Sequence, residues 1–231
     1  MVFTPLHDRN PLRIIPFQRV TLSIIAVCCA IFLAQHLLPS AEEGSLIQGL
    51  GLIPATLLGG TPVPPGSPLV PAELTVLSGA FVLGGWLQLF GNMLFLLFFG
   101  DNVEDSMGHV RFAAFYLLCA AAAGLAHVLS TPDSTDTLVG ASGAIAGVLG
   151  AYLVLHPRVK VLVLLFRRVP VLLPAYLLIG GWLLVQLFSV WTGNDQPVAW
   201  WAHIGGFMAG AVLVVPFRYK QIPLFDDGWQ R

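Results

Sequence analysis

Residues 198–217 read Val-Ala-Trp-Trp-Ala-His-Ile-Gly-Gly-Phe-Met-Ala-Gly-Ala-Val-Leu-Val-Val-Pro-Phe, a run without Lys, Arg, Asp or Glu. At a rise of about 1.5 Å per residue, a helix of this length spans a hydrocarbon core roughly 30 Å thick. The same criterion marks five more runs: approximately Val20 to Leu38, Phe81 to Gly100, Phe112 to Leu129, Leu138 to His156 and Val169 to Val190. The expected fold is an all-α membrane protein, a bundle of six transmembrane helices. Composition agrees. Of 231 residues 56% are hydrophobic and 10% charged, against about 25% charged in soluble domains, and mean hydropathy is +0.81. Such a chain cannot cover a water-facing surface, and a net charge of -1 gives no reason to expect nucleic acid.

Orientation follows from Lys and Arg near the ends of the runs. Arg9, Arg13 and Arg19 precede the first run and Arg111 follows the second. Arg158, Lys160, Arg167 and Arg168 follow the fourth, and Arg218, Lys220 and Arg231 follow the sixth. These are all 11 basic residues, so both termini are expected on the cytoplasmic side. The chain divides into a cytoplasmic arm (1–19), a membrane domain (20–217) and a cytoplasmic tail (218–231). The first run is longer than a signal-peptide core and is expected to remain as a helix. The outer loop, about 39–79, is Pro-rich and too long for a simple connection. Its apolar residues Leu50, Leu52, Ile53, Leu57, Leu58, Leu69, Val70 and Leu74 are expected to lie against the outer leaflet or the bundle. Cys28, Cys29 and Cys119 all fall in apolar runs and read as inert buried thiols.

Polar side chains inside a span are expensive and mark function or helix packing. Gln88 and Asn92 are four residues apart, hence on one helix face. Ser142 is expected about one turn below the outer end of the fourth span, and His203 at a similar depth in the sixth. The orientation gathers a hydroxyl, an imidazole and two amides into one outer layer. Alone, Gly-Ala-Ser-Gly more often serves packing, His203 a buried hydrogen bond or a haem, and Gln88 and Asn92 interhelical contacts. Convergence favours a joint role. Gly143 and Gly147, like Gly206 and Gly210, have the spacing that lets helices approach closely, so the fourth and sixth spans are expected to be neighbours.

The soluble-hydrolase Gly-x-Ser-x-Gly elbow is not matched, because Ala144 stands where it needs glycine. A Ser-Lys pair is disfavoured because Lys160 and Lys220 are cytoplasmic. No carboxylate lies in a marked run, so a third member would have to come from a loop, such as Asp133, Asp136 or Asp195; a dyad without one is expected. No Cys, His or carboxylate cluster has metal spacing, His36, His127 and His156 are scattered without partners, and no cofactor is called for. An ion path through both leaflets would need ionisable residues that are missing here, and no internal repeat of the transporter kind is evident.

Three motifs resemble the rhomboid family of intramembrane serine proteases, and the resemblance runs from about Leu46 to Phe217. Gly140-Ala141-Ser142-Gly143, followed by small residues, is similar to the family's nucleophile motif. Ala202-His203-Ile204-Gly205-Gly206-Phe207-Met208-Ala209-Gly210 is similar to its histidine motif. Gly84-Gly85-Trp86-Leu87-Gln88-Leu89-Phe90-Gly91-Asn92, with Gly100-Asp101-Asn102-Val103-Glu104-Asp105 and Gly108 behind it, resembles its second-span motif. Many members carry histidines where this chain has Leu83 and Gln88, and the second of those histidines helps to bind the oxyanion. The resemblance implies a Ser142 nucleophile, a His203 base, and an oxyanion site of Asn92, the Ser142 N–H and Gln88, whose amide N–H can donate from the histidine's place. It implies a hydrated cavity covered by the loop between the fifth and sixth spans. The implied substrates are transmembrane proteins in the lipid bilayer, with helix-breaking residues near the cut. The compact chain is expected in a prokaryotic plasma membrane. A relative that only binds membrane clients would share the fold, but such proteins usually lack the serine or the histidine, and this chain has both.

Overall fold

The structure is a computed structural model and describes residues 3–8, 10–60, 70–165, 169–192 and 199–226. The helices in chain order are α1 (Arg19–His36), α2 (Ser40–Leu50), α3 (Pro54–Leu57), α4 (Thr75–Ser78), α5 (Trp86–Met107), α6 (His109–Ser130), α7 (Ser142–Leu155), α8 (Ala175–Trp191) and α9 (Trp200–Phe217). By length and composition α1, α6 and α9 can cross a membrane. Segment Ala72–Phe81 and α5, bent by 81° at their junction, make a fourth if counted as one span, while α7 and α8 are shorter apolar helices.

The all-α expectation is corrected by a sheet. Strands β1 (Phe3–Asp8), β2 (Lys160–Leu165) and β3 (Val169–Pro174) form an antiparallel sheet in the order β1-β2-β3. Lys160 pairs with Pro174 and Leu165 with Val169, while Phe3 pairs with Leu165. Buried Val161 and Val163 alternate with more exposed neighbours, the period of two that a half-buried strand requires. The fifth apolar run therefore does not start as a helix at Val169. Pro170 and Pro174 have no N–H to give an α-helical ladder, and α8 begins only at Ala175.

The helix expected to end near Gly100 continues to Met107, beyond the apolar run, and carries Glu104 and Asp105 in its last turns. Glu104 is fully buried and accepts the N–H groups of Val20 and Thr21 at 2.9 and 2.8 Å and the Thr21 hydroxyl at 2.7 Å. Those two N–H groups belong to the first turn of α1, where no intrahelical acceptor exists, so Glu104 caps α1 from a distant part of the chain. Asp105 does the same for the arm, accepting the N–H groups of Arg13, Ile14 and Ile15 at 2.9, 2.8 and 2.7 Å.

At the centre stands α7, buried over nearly its whole length. A helix enclosed by protein need not match the bilayer in length, and the extended residues before it are tolerated for the same reason. Its glycines pack against α6 and α9: a Cβ at Gly143 or Gly147 would meet Ala123 or Cys119 of α6 first. A Cβ added at Gly206 would collide with the Gly143 carbonyl oxygen, one at Gly210 with that of Gly147, and one at Gly150 with that of Phe207. The expected neighbours are thus in backbone contact. The outer faces carry exposed Leu87, Phe90, Leu125, Phe188 and Val212, an apolar exterior that suits lipid and not water.

The loop between α1 and α5 packs onto the bundle. Leu52 exchanges backbone hydrogen bonds with Leu138, the Ala55 N–H donates to Ser134 O at 3.0 Å, and the Ser78 hydroxyl donates to Leu50 O at 2.6 Å. Leu52 and Ile53 are buried, whereas Leu58 and Leu74 are exposed. Leu69, with the rest of 61–69, lies outside the described residues.

Candidate active site

Three helices begin on one side of the molecule and supply the site from their first turns: Gln88 from α5, Ser142 from α7 and His203 from α9. Ser142 is the first residue of α7, not a residue one turn inside it as expected. The chain reaches it through an extended stretch anchored on both sides. Leu138 bonds to Leu52, and the Gly140 N–H donates to Gly79 O at 2.9 Å. Gly140 then turns with φ 135°, a value that L side chains avoid, and a Cβ there would strike the Gln88 amide. The backbone conformation is what requires glycine at 140.

His203 Nε2 lies 2.9 Å from Ser142 Oγ. The imidazole is 9% exposed and rests between two indoles, with ring centroids 5.8 Å from Trp182 and 6.3 Å from Trp200. Its other nitrogen, Nδ1, lies 3.2 Å from Oε1 of Gln186 on α8. Sequence reasoning missed Gln186. The available signal was an amide in an apolar run, one turn after Trp182. Of the loop acids considered, Asp136 lines the cavity described next, and Asp195 lies outside the described residues.

Ser142, His203 and Gln88 line one cavity of about 1150 Å³, which extends past Val139 and Gly140 to Leu52, Val76 and His127. The Gln88 Oε1 accepts the Gly84 N–H at 2.8 Å, and its Nε2 donates to Val139 O at 3.3 Å. The amide thus joins the turn before α5 to the extended stretch before Ser142. Asn92 is not among the residues lining the cavity; its Nδ2 is buried and has no hydrogen-bond partner among the described residues. A buried donor left unpaired calls for an explanation, and an acceptor present only during reaction is one. The segment between α8 and α9, expected to cover the cavity, includes 193–198, which lie outside the described residues. His36, expected without a partner, sits 3.3 Å from Glu43, away from the site.

A hydroxyl bonded to an imidazole, at the N-terminus of a helix and open to a cavity, can perform nucleophilic acyl transfer. The helix end places unpaired N–H groups and the positive pole of its dipole where negative charge would develop.

Residues 72–220 match the family model described as Rhomboid domain. Among curated proteins, the chain is 29% identical over 138 residues to RHOMBOID-like protein 5 of Arabidopsis thaliana, covering 60% of this chain and 42% of that one. It is 29% identical over 152 residues to Rhomboid protein 1, mitochondrial, of Saccharomyces cerevisiae, covering 62% and 41%. To RHOMBOID-like protein 4 of Arabidopsis thaliana it is 32% identical over 139 residues, covering 60% and 32%. The similarity thus spans less than half of each relative's length. These relatives are plant and yeast proteins and lend no support to the expectation of a prokaryotic plasma membrane.

Proposed function

Since the chain belongs to the rhomboid family, matched over more than half of its length, we propose that it is a serine-type intramembrane endopeptidase. Transmembrane proteins in the same bilayer are its substrates. The observation that carries this reading is the 2.9 Å contact between Ser142 Oγ and His203 Nε2, buried beside a cavity large enough for an extended peptide segment. His203 takes the hydroxyl proton as Oγ attacks the peptide carbonyl carbon. The tetrahedral intermediate collapses when His203 returns that proton to the leaving amine, which frees one product and leaves an ester on Ser142. Water, deprotonated by His203, releases the second product.

The oxyanion is held by the Ser142 N–H, by Asn92 and by Gln88. Support for Asn92 is its unpaired buried Nδ2. For Gln88 it is a place in the cavity wall, with its present bond to Val139 O long at 3.3 Å and exchangeable for a better acceptor. Topologically, six spans put both termini in the cytoplasm, with α7 and α8 as the fourth and fifth; the one-sided distribution of Lys and Arg supports this placement.

The test is labelling with a fluorophosphonate probe in detergent, joined to cleavage of a transmembrane substrate in proteoliposomes. Wild type is expected to label and cleave, and Ser142→Ala to do neither. Equal labelling of the two removes the nucleophile assignment. Client binding by wild type and Ser142→Ala alike, with no cleavage by either, replaces the protease with a client-binding relative of the same fold.

A further inference from the structure

The polar pairing of His203 continues beyond Ser142. The buried side of α8 runs through Ala175, Leu178, Ile179, Gln186 and Ser189, the three-and-four spacing of one helix face. An amide on such a stripe is costly unless its polar atoms are matched. Gln186 is 4% exposed, and its Oε1 faces His203 Nδ1 at 3.2 Å. Trp182, one turn earlier on the same helix, packs against the same imidazole. One face of α8 therefore holds the ring at two points.

We propose that Gln186 is a positioning residue that keeps His203 in the Nδ1–H tautomer, so that Nε2 offers its lone pair to Ser142. The inference rests on the reading of Ser142 and His203 as nucleophile and base. A neutral imidazole carries one N–H, and the nitrogen that donates leaves the other to accept. A carbonyl oxygen can only accept, so facing Oε1 places the proton on Nδ1. Ser142 Oγ–H then donates to Nε2 across 2.9 Å, the direction that proton removal requires. In the opposite tautomer Nε2–H would donate to the serine, and no base would exist. A carboxylate could hold the same tautomer, but burying its charge against Trp182 and the apolar wall of α8 would be more costly than burying a neutral amide. When His203 accepts the serine proton, the Nδ1–H bond becomes charge-assisted and strengthens. Gln186 thus favours the charged intermediate without carrying charge.

Two measurements test this on the full chain in detergent. In the 15N spectrum of histidine-labelled protein, with the His203 signals identified by their loss in His203→Gln, Nδ1 is expected to be protonated and Nε2 not. A protonated Nε2 on neutral His203 in wild type overturns the proposal. In cleavage assays, Gln186→Leu is expected to lower kcat about tenfold to a hundredfold, the effect of losing one hydrogen bond to a charged group, with KM unchanged. Gln186→Glu, which keeps an acceptor, is expected to recover part of that loss. A folded Gln186→Leu with wild-type kcat, or Glu and Leu variants equally slow, refutes the role. If the leucine variant does not fold, the wild-type spectrum decides alone. If wild type neither labels nor cleaves, the protease reading fails, and the spectrum still decides what Gln186 does to His203.

Discussion

Replacing Gly206 by alanine adds one methyl group at the closest approach of α7 and α9. The new Cβ would overlap the carbonyl oxygen of Gly143 and lie 3.3 Å from Ala123 Cβ on α6. It has a neighbour on each side, so α9 cannot escape one contact by sliding into the other. Ordinary contact requires α7 to retreat by about 1 Å, because packed backbone does not compress. Gly143 adjoins Ser142, and His203 lies one turn before Gly206, so the retreat falls on the 2.9 Å bond between them. At nearly 4 Å that bond is gone. Overpacking of this kind costs about 1–3 kcal/mol, which lowers the unfolding midpoint by roughly 2–12 °C in a chain of this size. A misplacement near 1 Å costs about a hundredfold in rate. Thermal unfolding in detergent and the cleavage rate in proteoliposomes measure the two effects. Gly181→Ala on α8, where an added Cβ meets nothing within 4 Å, is the control and is expected to change neither. The reasoning fails if Gly206→Ala keeps wild-type stability and rate, or if Gly181→Ala loses as much.

Other outcomes follow from the same geometry. Asn92→Ala is expected to lower kcat by a factor of about 10²–10³, the usual consequence of losing one oxyanion donor, and an unchanged kcat takes Asn92 out of the reaction. Gln88→Ala should slow cleavage while Gln88→His preserves or raises it, as initial rates on one substrate would show; an alanine variant as fast as wild type removes Gln88 from the site. Glu104→Ala strips its partners from the first turn of α1 and from the side chain of Thr21. Leaving buried donors unpaired should destabilise the protein by about 3–5 kcal/mol, read as a lowered thermal midpoint and faster proteolysis of the N-terminal arm.

Some of the site was legible because its signals are local. Ser142 and His203 each lie in a stretch of small residues whose spacing of four announces close helix contact, and the polarity of Gln88 and Asn92 stands out in an apolar run. Gln186 was equally polar, but nothing nearby says that it faces an imidazole. A carboxylate is the residue type that sequence alone suggests for a third group, whereas an amide on α8 stands beside the imidazole. The unpaired Nδ2 of Asn92 and the turn at Gly140 are likewise properties of packing, invisible in composition.

The apolar runs by themselves determined the membrane class and the places of α1, α6 and α9, because a backbone in lipid must satisfy its own hydrogen bonds within a long apolar helix. The glycine spacings determined which helices touch, because only a missing Cβ allows that approach. Pro170 and Pro174 kept Val169–Pro174 out of a helix, and the neighbouring β2 paired with it as a strand. Tertiary structure alone decided two other features. The acidic end of α5 stayed helical and buried because distant N–H groups donate to the carboxylates of Glu104 and Asp105. The imidazole received its second partner because α8 packs there. Both depend on groups far along the chain that the local sequence does not name.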